Sequence, residues 1–305
     1  MLGKPFQFDP EVRRALAARR PVVALESTIL AHGLPYPRNV EVARQVEAAV
    51  RATGSVPATI AVLGGQVQVG LPDEALEWVC RAGVAKLGVR DLPVALAMRR
   101  DGATTVASTV TIAAHAGIPV FATGGLGGVH RQARDSWDCS ADLETLARTP
   151  IAVVCSGVKS VLDVGATLER LETLSVTMIG YGTNRFPGFY LSDSGHPLDW
   201  WVDTAEQAAA VLESRQSLGL GLGAVVFANP LPPAEQLDPA MHDRVLAEGL
   251  AAVDRDGVRG KAITPYLLDH FHRQTGGASL EANVRLVVRN AHVAGLIAAA
   301  WARVS

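Results

Sequence analysis

The sequence is poor in cysteine and in aromatic residues. Its three cysteines, Cys80, Cys139 and Cys155, are an odd number without close pairing, which argues against a disulfide framework and a zinc knuckle and fits a reducing cytoplasm. Aromatic residues make up only 5% of the chain, and no segment combines them with clustered Lys and Arg. We therefore expect no strand-binding surface for nucleic acid.

The sequence also lacks a dominant charge and any long hydrophobic run. A formal net charge of -2 provides no broad attraction to nucleic acid, so an anionic small-molecule ligand must be met by local groups. No run approaches the roughly 20 apolar residues that a membrane span needs, and residues 1–20 contain no apolar signal core. We expect a cytoplasmic protein without a membrane partner.

What the chain has in quantity is apolar material for a core. Hydrophobic residues make up 49% of it and charged residues 19%, with no low-complexity signature of disorder. Apolar, strand-like runs recur from Val22 to Val226 without a long polar linker between them. We therefore predict one domain over residues 1–305.

Short β-rich runs alternate with amphipathic runs along the chain. The predicted strands are 22–25, 84–87, 120–122, 152–155, 176–179 and 224–227, with a hairpin over 60–69 around Gly64-Gly65. The predicted helices are 9–20, one capped by Asn39, and 280–303. This order implies an α/β layer structure with a largely parallel or mixed sheet.

Chemistry in such a sheet collects beyond the carboxyl ends of its strands. This rule selects Glu26 after the first predicted strand, Lys86 at the end of a later one, and Lys159 shortly after another. It also selects the Gly-rich turn 123–128, which would let backbone N–H groups approach a phosphate, with His130 close behind it.

Each of these features has a simpler explanation. A Gly-rich turn often only connects two elements, and Glu26 and Lys86 could form an ordinary salt bridge at the rim of the sheet. Lys159 is the most informative, because partial burial and a place at a helix start both favour the uncharged amine that attacks carbonyl carbon. A surface lysine at a helix end is the alternative. The second glycine run, 219–223, is predicted to be a tight strand entrance without a cofactor.

Segment 138–143 adds two carboxylates at a predicted helix start, with Ser140 as a candidate cap. Capping alone explains Ser140 and Asp142. One or two carboxylates on a largely hydrated ion is also how magnesium or manganese is commonly held near phosphates, so Asp138 or Asp142 could bind such an ion. Spacing does not choose between them.

Several longer motifs resemble one known family. They are Ala24-Leu25-Glu26-Ser27-Thr28-Ile29 with His32-Gly33, the stretches 102–109 and 123–131, Ser140-Ala141-Asp142-Leu143, Gly157-Val158-Lys159-Ser160, Gly180-Tyr181, Ala228-Asn229-Pro230 and 275–280. In this order, and over nearly the whole chain, they resemble the pseudouridine-5'-phosphate glycosidases, also called the indigoidine synthase A-like family.

The resemblance implies a three-layer α/β/α fold, a homotrimer and a bound manganese ion (Mn2+). It also implies reversible cleavage of the carbon–carbon glycosidic bond of pseudouridine 5'-phosphate, giving uracil and ribose 5-phosphate, in pseudouridine catabolism. By matching motif, Lys159 would be the imine-forming nucleophile, Glu26 the proton donor and Asp138 the metal ligand. The implied substrate contacts are Lys86, Val106, Ser140, Ala141 and Asp142, with His130 and Asn283 in well-matched stretches near the expected site.

Two departures from the family pattern bear on substrate fit and not on the reaction class. Lys86 is followed by Leu87-Gly88-Val89-Arg90, where relatives usually have a serine. Cys139 stands where an aliphatic residue is common.

Two other functions use the same residues. An aldolase-like lyase on sugar phosphates would need the lysine and the phosphate turn but would ignore uracil. A non-enzymatic nucleotide-binding or pigment-pathway accessory protein would keep the fold without the chemistry. The joint presence of Glu26, Lys86, Asp138 and Lys159 argues against a binder, since a binder has no need of an activated amine.

Overall fold

The computed structural model describes residues 6–219 and 223–304. Within these ranges the β-strands form one connected sheet. They are β1 (Phe6–Phe8), β2 (Val22–Leu25), β3 (Val56–Leu63), β4 (Gln66–Val69), β5 (Ala85–Leu87), β6 (Gly102–Thr104), β7 (Val120–Ala122), β8 (Ala152–Cys155), β9 (Thr177–Tyr181), β10 (Trp201–Val202) and β11 (Val225–Ala228).

The helices lie between and after these strands. They are α1 (Pro10–Ala17), α2 (Thr28–His32), α3 (Arg38–Arg51), α4 (Asp73–Arg81), α5 (Leu92–Ala97), α6 (Val106–His115), α7 (Ala133–Ser136), α8 (Ala141–Arg148), α9 (Val164–Thr173), α10 (Ala205–Ser217), α11 (Pro239–Arg255), α12 (Ile263–Gln274) and α13 (Ala278–Trp301). Short 3-10 turns occur at Val89–Asp91 and Gly260–Ala262. No helix in the described ranges has the length and apolar character needed to cross a membrane.

The sheet is mostly parallel, as predicted. Its strand order is β1-β4-β3-β2-β7-β8-β11-β9-β10, with β6 paired to β3 and β5 paired to β6. The antiparallel exceptions are β3 with β4 and β3 with β6. The first of these is the predicted hairpin, which pairs Ile60 with Val69 and Leu63 with Gln66.

Helices cover the sheet on both faces, which confirms the three-layer α/β/α architecture. The chain passes from β2 through α3 to β3 in one direction along the sheet, and from β7 through α8 to β8 in the other. Right-handed crossovers in opposite directions place α3 and α8 on opposite faces. The long helix α13 packs against β2, β7 and β8 beside α3 and α10, whereas α6 packs with α8.

The centre of the sheet is buried on both faces. All four residues of β2, β8 and β11 are buried, as expected for parallel strands that helices cover on both sides. These strands are also nearly uninterrupted apolar runs, which is why the sequence identified them well. The strands over 22–25, 120–122 and 152–155 are confirmed residue for residue, and those near 84, 176 and 224 start one residue later than predicted.

The prediction that Asn39 caps a helix is wrong. Helix α3 begins one residue earlier, at Arg38. Asn39 is buried in its first turn, and its side-chain amide donates to the carbonyl oxygens of Leu30 (2.8 Å) and Cys80 (2.9 Å). The amide thus joins α3 to the middle of α2 and to the end of α4, a use that local sequence does not reveal.

Other element boundaries also differ from the predicted ones. Helix α1 ends at Ala17 and not near Arg20. The short strands β1, β6 and β10 were not predicted, since two or three residues are too few to show an alternating pattern. The glycine run 219–223 has residues 220–222 outside the described ranges.

The close packing of α13 against the loop after α3 yields a testable prediction. A Cβ on Gly295 would collide with the side chain of Thr53, while the Gly295 carbonyl accepts a hydrogen bond from Ser55 Oγ at 2.8 Å. We expect Gly295→Ala to lower the free energy of unfolding by about 1–3 kcal/mol through overpacking, measured by urea denaturation. Adding Thr53→Ala should recover most of the loss. Wild-type stability in the single variant would contradict the close approach.

Candidate active site

Four polar residues follow four neighbouring strands at one edge of the sheet. The strand register places Leu25 beside Ala122, Ala122 beside Val154, and Cys155 beside Ala228. The residues that follow these strands therefore meet at the carboxyl edge in two neighbouring pairs, the second pair one residue further along than the first. They are Glu26, Thr123, Ser156 and Asn229.

Glu26 and Thr123 meet between the ends of β2 and β7, where the order of the strands along the sheet reverses. Strand β2 connects to its neighbour on one side and β7 to its neighbour on the other, so the crevice between their carboxyl ends is the topological switch point. Thr123 Oγ1 donates a short hydrogen bond to Glu26 Oε1 across this crevice. Parallel α/β sheets bind their ligands at such a crevice, so the fold and the side chains indicate the same place.

Burial raises the pKa of the Glu26 carboxyl above its ordinary value of 4.5, and the negative charge of Asp142 adds to the increase. The Lys159 amine, when charged, opposes this most strongly, followed by the Thr123 hydroxyl and by Lys86. Glu26 is therefore a carboxyl that stays protonated at a higher pH than usual, with two lysines and a second carboxylate close enough to influence it.

Lys159 reaches this crevice, but it does not lie at a helix start as predicted. Helix α9 begins at Val164, and its cap is Asp163, whose carboxylate accepts a hydrogen bond from the Ala166 N–H at 2.9 Å. Lys159 lies in the extended segment before it, where its own N–H donates to the Leu126 carbonyl at 3.1 Å. The N-terminus of α9 therefore does not lie at this amine, which belongs to the segment after β8 and whose charge acts on Glu26.

The segment that carries Lys159 requires a glycine. Gly157 has a φ of +80°, and a Cβ there would overlap the Pro187 carbonyl oxygen. This conformation turns the chain out of β8 so that Val158 forms a parallel bridge to Leu126. The neighbouring Cys155 is an unsuitable nucleophile, because burial raises the pKa of its thiol to about 12.

Lys86 supplies a second positive charge to the same crevice. It is the middle residue of β5, and its charge lowers the pKa of Glu26 and of both His32 and His130. For each histidine the larger cause of the lowered pKa is burial. One cation thus influences the acid, the end of α2 and the residue that follows the glycine turn.

The glycine turn is held in place by Asp142. Its Oδ1 accepts from the Ala107 N–H at 3.0 Å and its Oδ2 from the Gly127 N–H at 2.8 Å. A Cβ on Gly127 would collide with the side chains of Ser140 and Asp142. The turn is therefore more than a connection: the buried carboxylate fastens it to the start of α6.

Three predicted substrate contacts lie at the starts of two helices beside this turn. Val106 is the buried first residue of α6, and Ala141 is the exposed first residue of α8. Ser140 caps α8, as predicted, by accepting a hydrogen bond from the Asp142 N–H at 3.2 Å. Two helix N-termini of positive polarity thus face the region where an anion would bind.

Asp138 has an unused oxygen and a histidine close by. Its Oδ2 is buried without a hydrogen-bond partner among the described residues and lies 3.9 Å from His130 Nε2. The backbone joins the same pair, since the His130 N–H donates to the Asp138 carbonyl at 3.0 Å. The described part of the chain contains no group of three or more His, Cys, Asp or Glu arranged to hold a metal. The donors present therefore fit only an ion that keeps most of its water.

Asn283 extends towards the turn from α13. The residue is buried, and its Oδ1 has no hydrogen-bond partner among the described residues. The same oxygen would lie 3.4 Å from a Cβ built on Gly124. A buried polar atom without a partner beside a candidate substrate site has an unsatisfied acceptor to offer a ligand.

Sequence reasoning assigned no individual role to four residues that shape this site. They are Thr123, Ser156, Asn229 and Asn290. Thr123 binds Glu26, and the other three form a buried hydrogen-bonded cluster behind the turn. Asn290 did leave a signal, because it is, like Asn283, an amide within the apolar stripe of the last helix, where a buried polar residue needs partners.

The raised pKa of Glu26 predicts how stability depends on pH. The folded-state pKa lies above the unfolded-state value, so this group's stabilising contribution is complete below about pH 4.5 and is lost as pH rises through the folded-state pKa. Glutamine never ionises and can still accept the Thr123 hydrogen bond. Glu26→Gln should therefore exceed wild type in Tm near neutral pH, by about 2–4 °C per kcal/mol gained, and the difference should vanish in acid.

Glu47→Gln is the matched control for this measurement. Burial also raises the pKa of Glu47, and Thr59 Oγ1 donates to Glu47 Oε1 at 2.6 Å, in the same way as Thr123 to Glu26. The two variants should show the same pH dependence of Tm. Destabilisation by Glu26→Gln at every pH, with stabilisation by Glu47→Gln, would contradict our account of the Glu26 environment.

Comparison with known proteins identifies the family to which the chain belongs. A pseudouridine-5'-phosphate glycosidase from Salinispora tropica is 62% identical over 96% of this chain and 90% of its own. The crystal structure of the prealnumycin C-glycosynthase AlnA in complex with ribulose 5-phosphate matches with a TM-score of 0.90 and 39% identity, over 98% and 97% of the two chains.

A third relative is an indigoidine synthase A-like protein from Thermotoga maritima, whose structure matches with a TM-score of 0.86 and 33% identity over 96% of this chain and 95% of its own. The indigoidine synthase A like protein family itself matches residues 11–300. The chain is therefore an enzyme of the indigoidine synthase A-like family.

Proposed function

We propose that this enzyme cleaves the carbon–carbon glycosidic bond of pseudouridine 5'-phosphate reversibly, to uracil and ribose 5-phosphate, through an imine on Lys159. The observation that carries the proposal is the pairing of a carboxyl of raised pKa, Glu26, with the Lys159 amine at the switch point of the sheet. Relatives named for this activity support it.

The substrate explains why an amine is needed. Ordinary glycosidases protonate a leaving oxygen or nitrogen, but pseudouridine joins its sugar to uracil through carbon, which has no lone pair. In our proposal the neutral amine of Lys159 attacks the anomeric carbon, and the bond from that carbon to the ring oxygen breaks as the oxygen gains the proton that the attacking nitrogen loses. The ribose is then an open chain attached to nitrogen.

Bond cleavage follows from this adduct. The nitrogen lone pair forms the carbon–nitrogen double bond while the electrons of the carbon–carbon bond pass to uracil C5, which takes a proton from Glu26. Water then hydrolyses the imine and releases ribose 5-phosphate. The balance is one substrate and one water giving uracil and the sugar phosphate.

The environment of Glu26 favours the protonation state that this path requires of the acid. The reaction needs a protonated Glu26 and an uncharged Lys159, which differ from a carboxylate–ammonium pair by transfer of one proton. Burial disfavours two separated charges, and it is also the largest cause of the raised pKa of Glu26. The same desolvation therefore supports the protonated, proton-donating form of Glu26.

The phosphate would lie among the positive groups beside the acid. We assign it to Lys86, to the glycine turn and to the starts of α6 and α8, the region that contains Val106, Ser140, Ala141 and Asp142. His130 and Asn283 would complete the contacts. The departures at Gly88, Val89 and Cys139 lie next to this region and bear on which modified bases are accepted.

We further propose that Asp138 holds a manganese ion that keeps most of its water, with His130 behind it. When bound, such an ion would supply positive charge beside the phosphate. Asp142 is the weaker candidate, because both of its oxygens already accept hydrogen bonds from backbone N–H groups.

Following the family resemblance, we also propose a homotrimer. The three cysteines form no disulfide, which supports our proposal that the enzyme acts in a reducing cytoplasm, in pseudouridine breakdown.

The imine can be tested by trapping, since the chain has only four lysines, at positions 4, 86, 159 and 261. Borohydride added with ribose 5-phosphate should attach the reduced sugar to a peptide containing Lys159. Lys159→Arg should abolish labelling. Lys86→Met should weaken it without moving it, because the phosphate loses a cation while the nucleophile stays. Label on Lys86, or no label, would count against the mechanism.

Glu26→Gln separates the acid from the amine in the same experiment. Cleavage should fall about 10²–10⁴-fold, the usual share of a general acid, while trapping persists. The control Glu47→Gln should turn over at the wild-type rate. Incubation of ribose 5-phosphate with uracil should yield pseudouridine 5'-phosphate; trapping without this coupling would favour an aldolase-like lyase.

The metal proposal predicts a loss of binding that needs no substrate. Asp138→Asn should weaken manganese binding at least about 10-fold in calorimetric titration. Asp135→Asn, an exposed carboxylate on α7 three residues away, should bind as wild type does. Equal binding by both variants would remove Asp138 as the ligand.

A further inference from the structure

A closed ring of hydrogen bonds lies directly behind the site. Asn290, on α13, has no exposed surface, and its side-chain amide donates to the Thr123 carbonyl at 2.8 Å and to Ser156 Oγ at 3.0 Å. Ser156 Oγ donates to the Asn229 carbonyl at 2.9 Å. Asn229 Nδ2 then donates to Asn290 Oδ1 at 2.9 Å, which closes the ring.

The ring uses both N–H groups and the oxygen of the Asn290 amide. Such a cluster is stable in a buried site only when every polar group has a partner, and losing one member leaves the others unsatisfied. Its three other participants follow β7, β8 and β11. One side chain therefore fixes the carboxyl ends of three neighbouring strands relative to α13.

Two of those strand ends lead to the reacting residues. The Thr123 carbonyl accepts a hydrogen bond from the Asn290 amide, and the Thr123 hydroxyl donates one to Glu26. Ser156 begins the segment that reaches Lys159, and that segment is joined to the glycine turn by Leu126, whose N–H donates to the Gly157 carbonyl at 2.9 Å. Asn290 therefore stands behind both the acid and the amine without contact with either.

We propose that Asn290 is a positioning residue that acts on the reaction through Thr123 and Ser156. It keeps the Thr123 hydroxyl on the Glu26 carboxyl and the Ser156–Lys159 segment beside them. This inference rests on the proposed function, in which Glu26 is the acid and Lys159 the nucleophile. Asn290 has no free donor or acceptor for a substrate, so its effect is indirect.

Asparagine is the residue type that this position requires. Leucine has a similar volume but no donor, so it would leave the Thr123 carbonyl and Ser156 Oγ without their partner. Aspartate would place a carboxylate oxygen against the Thr123 carbonyl oxygen. Either change would release the turn that carries Thr123, and a displacement of about 1 Å at a reacting group costs on the order of 10²-fold in rate.

The test is a double-mutant cycle on Thr123→Val and Asn290→Leu, read from the pH dependence of kcat. The Thr123 hydroxyl stabilises the ionised form of Glu26, so its removal raises the pKa of Glu26 and moves the alkaline fall of activity to higher pH. Asn290→Leu should move it in the same direction and lower kcat about 10²-fold, with KM nearly unchanged. The double variant should shift no further than Thr123→Val alone.

Two matched controls separate positioning from general loss of stability. Thr59→Val removes a hydroxyl that donates to another buried carboxyl, Glu47. Ser55→Ala removes a buried hydroxyl that fastens α13 at the opposite edge of the sheet. Both should lower Tm and leave the position of the alkaline limb unchanged.

The proposal is overturned if the double variant shows additive shifts in the pH at which kcat falls on the alkaline side. It is also overturned if Asn290→Leu lowers Tm without moving that pH. If Asn290→Leu does not fold, Ser156→Ala replaces it and is compared with Ser55→Ala, the same change outside the ring. Ser156→Ala should move the limb in the same direction. No shift relative to Ser55→Ala would also overturn the proposal.

A second readout does not depend on turnover. Carboxyl carbon-13 NMR of labelled glutamate, with Glu26 assigned by difference from Glu26→Gln, follows the titration of Glu26 itself. Its pKa should rise in Thr123→Val, in Asn290→Leu and equally in the double variant. If the wild type fails to cleave pseudouridine 5'-phosphate, the proposed function is wrong, and this titration still decides whether Asn290 acts through Thr123.

Discussion

The hydrogen bond from Thr123 to Glu26 links the ends of β2 and β7, the two strands between which the strand order reverses. The remaining features of the site depend on the position of this hydrogen bond. The crossover from β2 leads to one side of this crevice and the crossover from β7 leads to the other side. Such crevices are where parallel α/β sheets bind their ligands. The interaction also places a carboxyl inside the protein, where burial raises its pKa. Topology and electrostatics thus produce one feature, an acid of raised pKa at the switch point of the sheet.

Several anchors keep that crevice rigid. Asp142 fastens the glycine turn to the start of α6, and Asn290 fastens the same turn to the ends of three strands from behind. The Gly157 turn leads the chain from β8 into the segment of Lys159, whose charge acts on Glu26. Reacting groups gain from being held before the substrate arrives, because the ordering cost is then met by folding and not by each turnover.

Much of this arrangement follows from local sequence. Strands such as β2 and β8 were predictable because parallel strands buried on both faces are continuous apolar runs. Glu26 and Lys159 could be selected because polar residues at strand ends converge on one edge. The roles of Asn39 and Asn290 were not predictable, since their partners are carbonyls far away in sequence. Lys159 was misplaced at a helix start because the pattern does not reveal that Gly157 turns the chain into an extended segment.

The most direct test of the central claim is the crystal structure of the enzyme soaked with ribose 5-phosphate. Our account predicts continuous electron density from Lys159 Nζ to C1 of an open pentose, with Glu26 and Thr123 still in contact on the side where uracil C5 would lie. A sugar phosphate bound without a covalent link, or a Lys159 side chain directed away from Glu26, would contradict it.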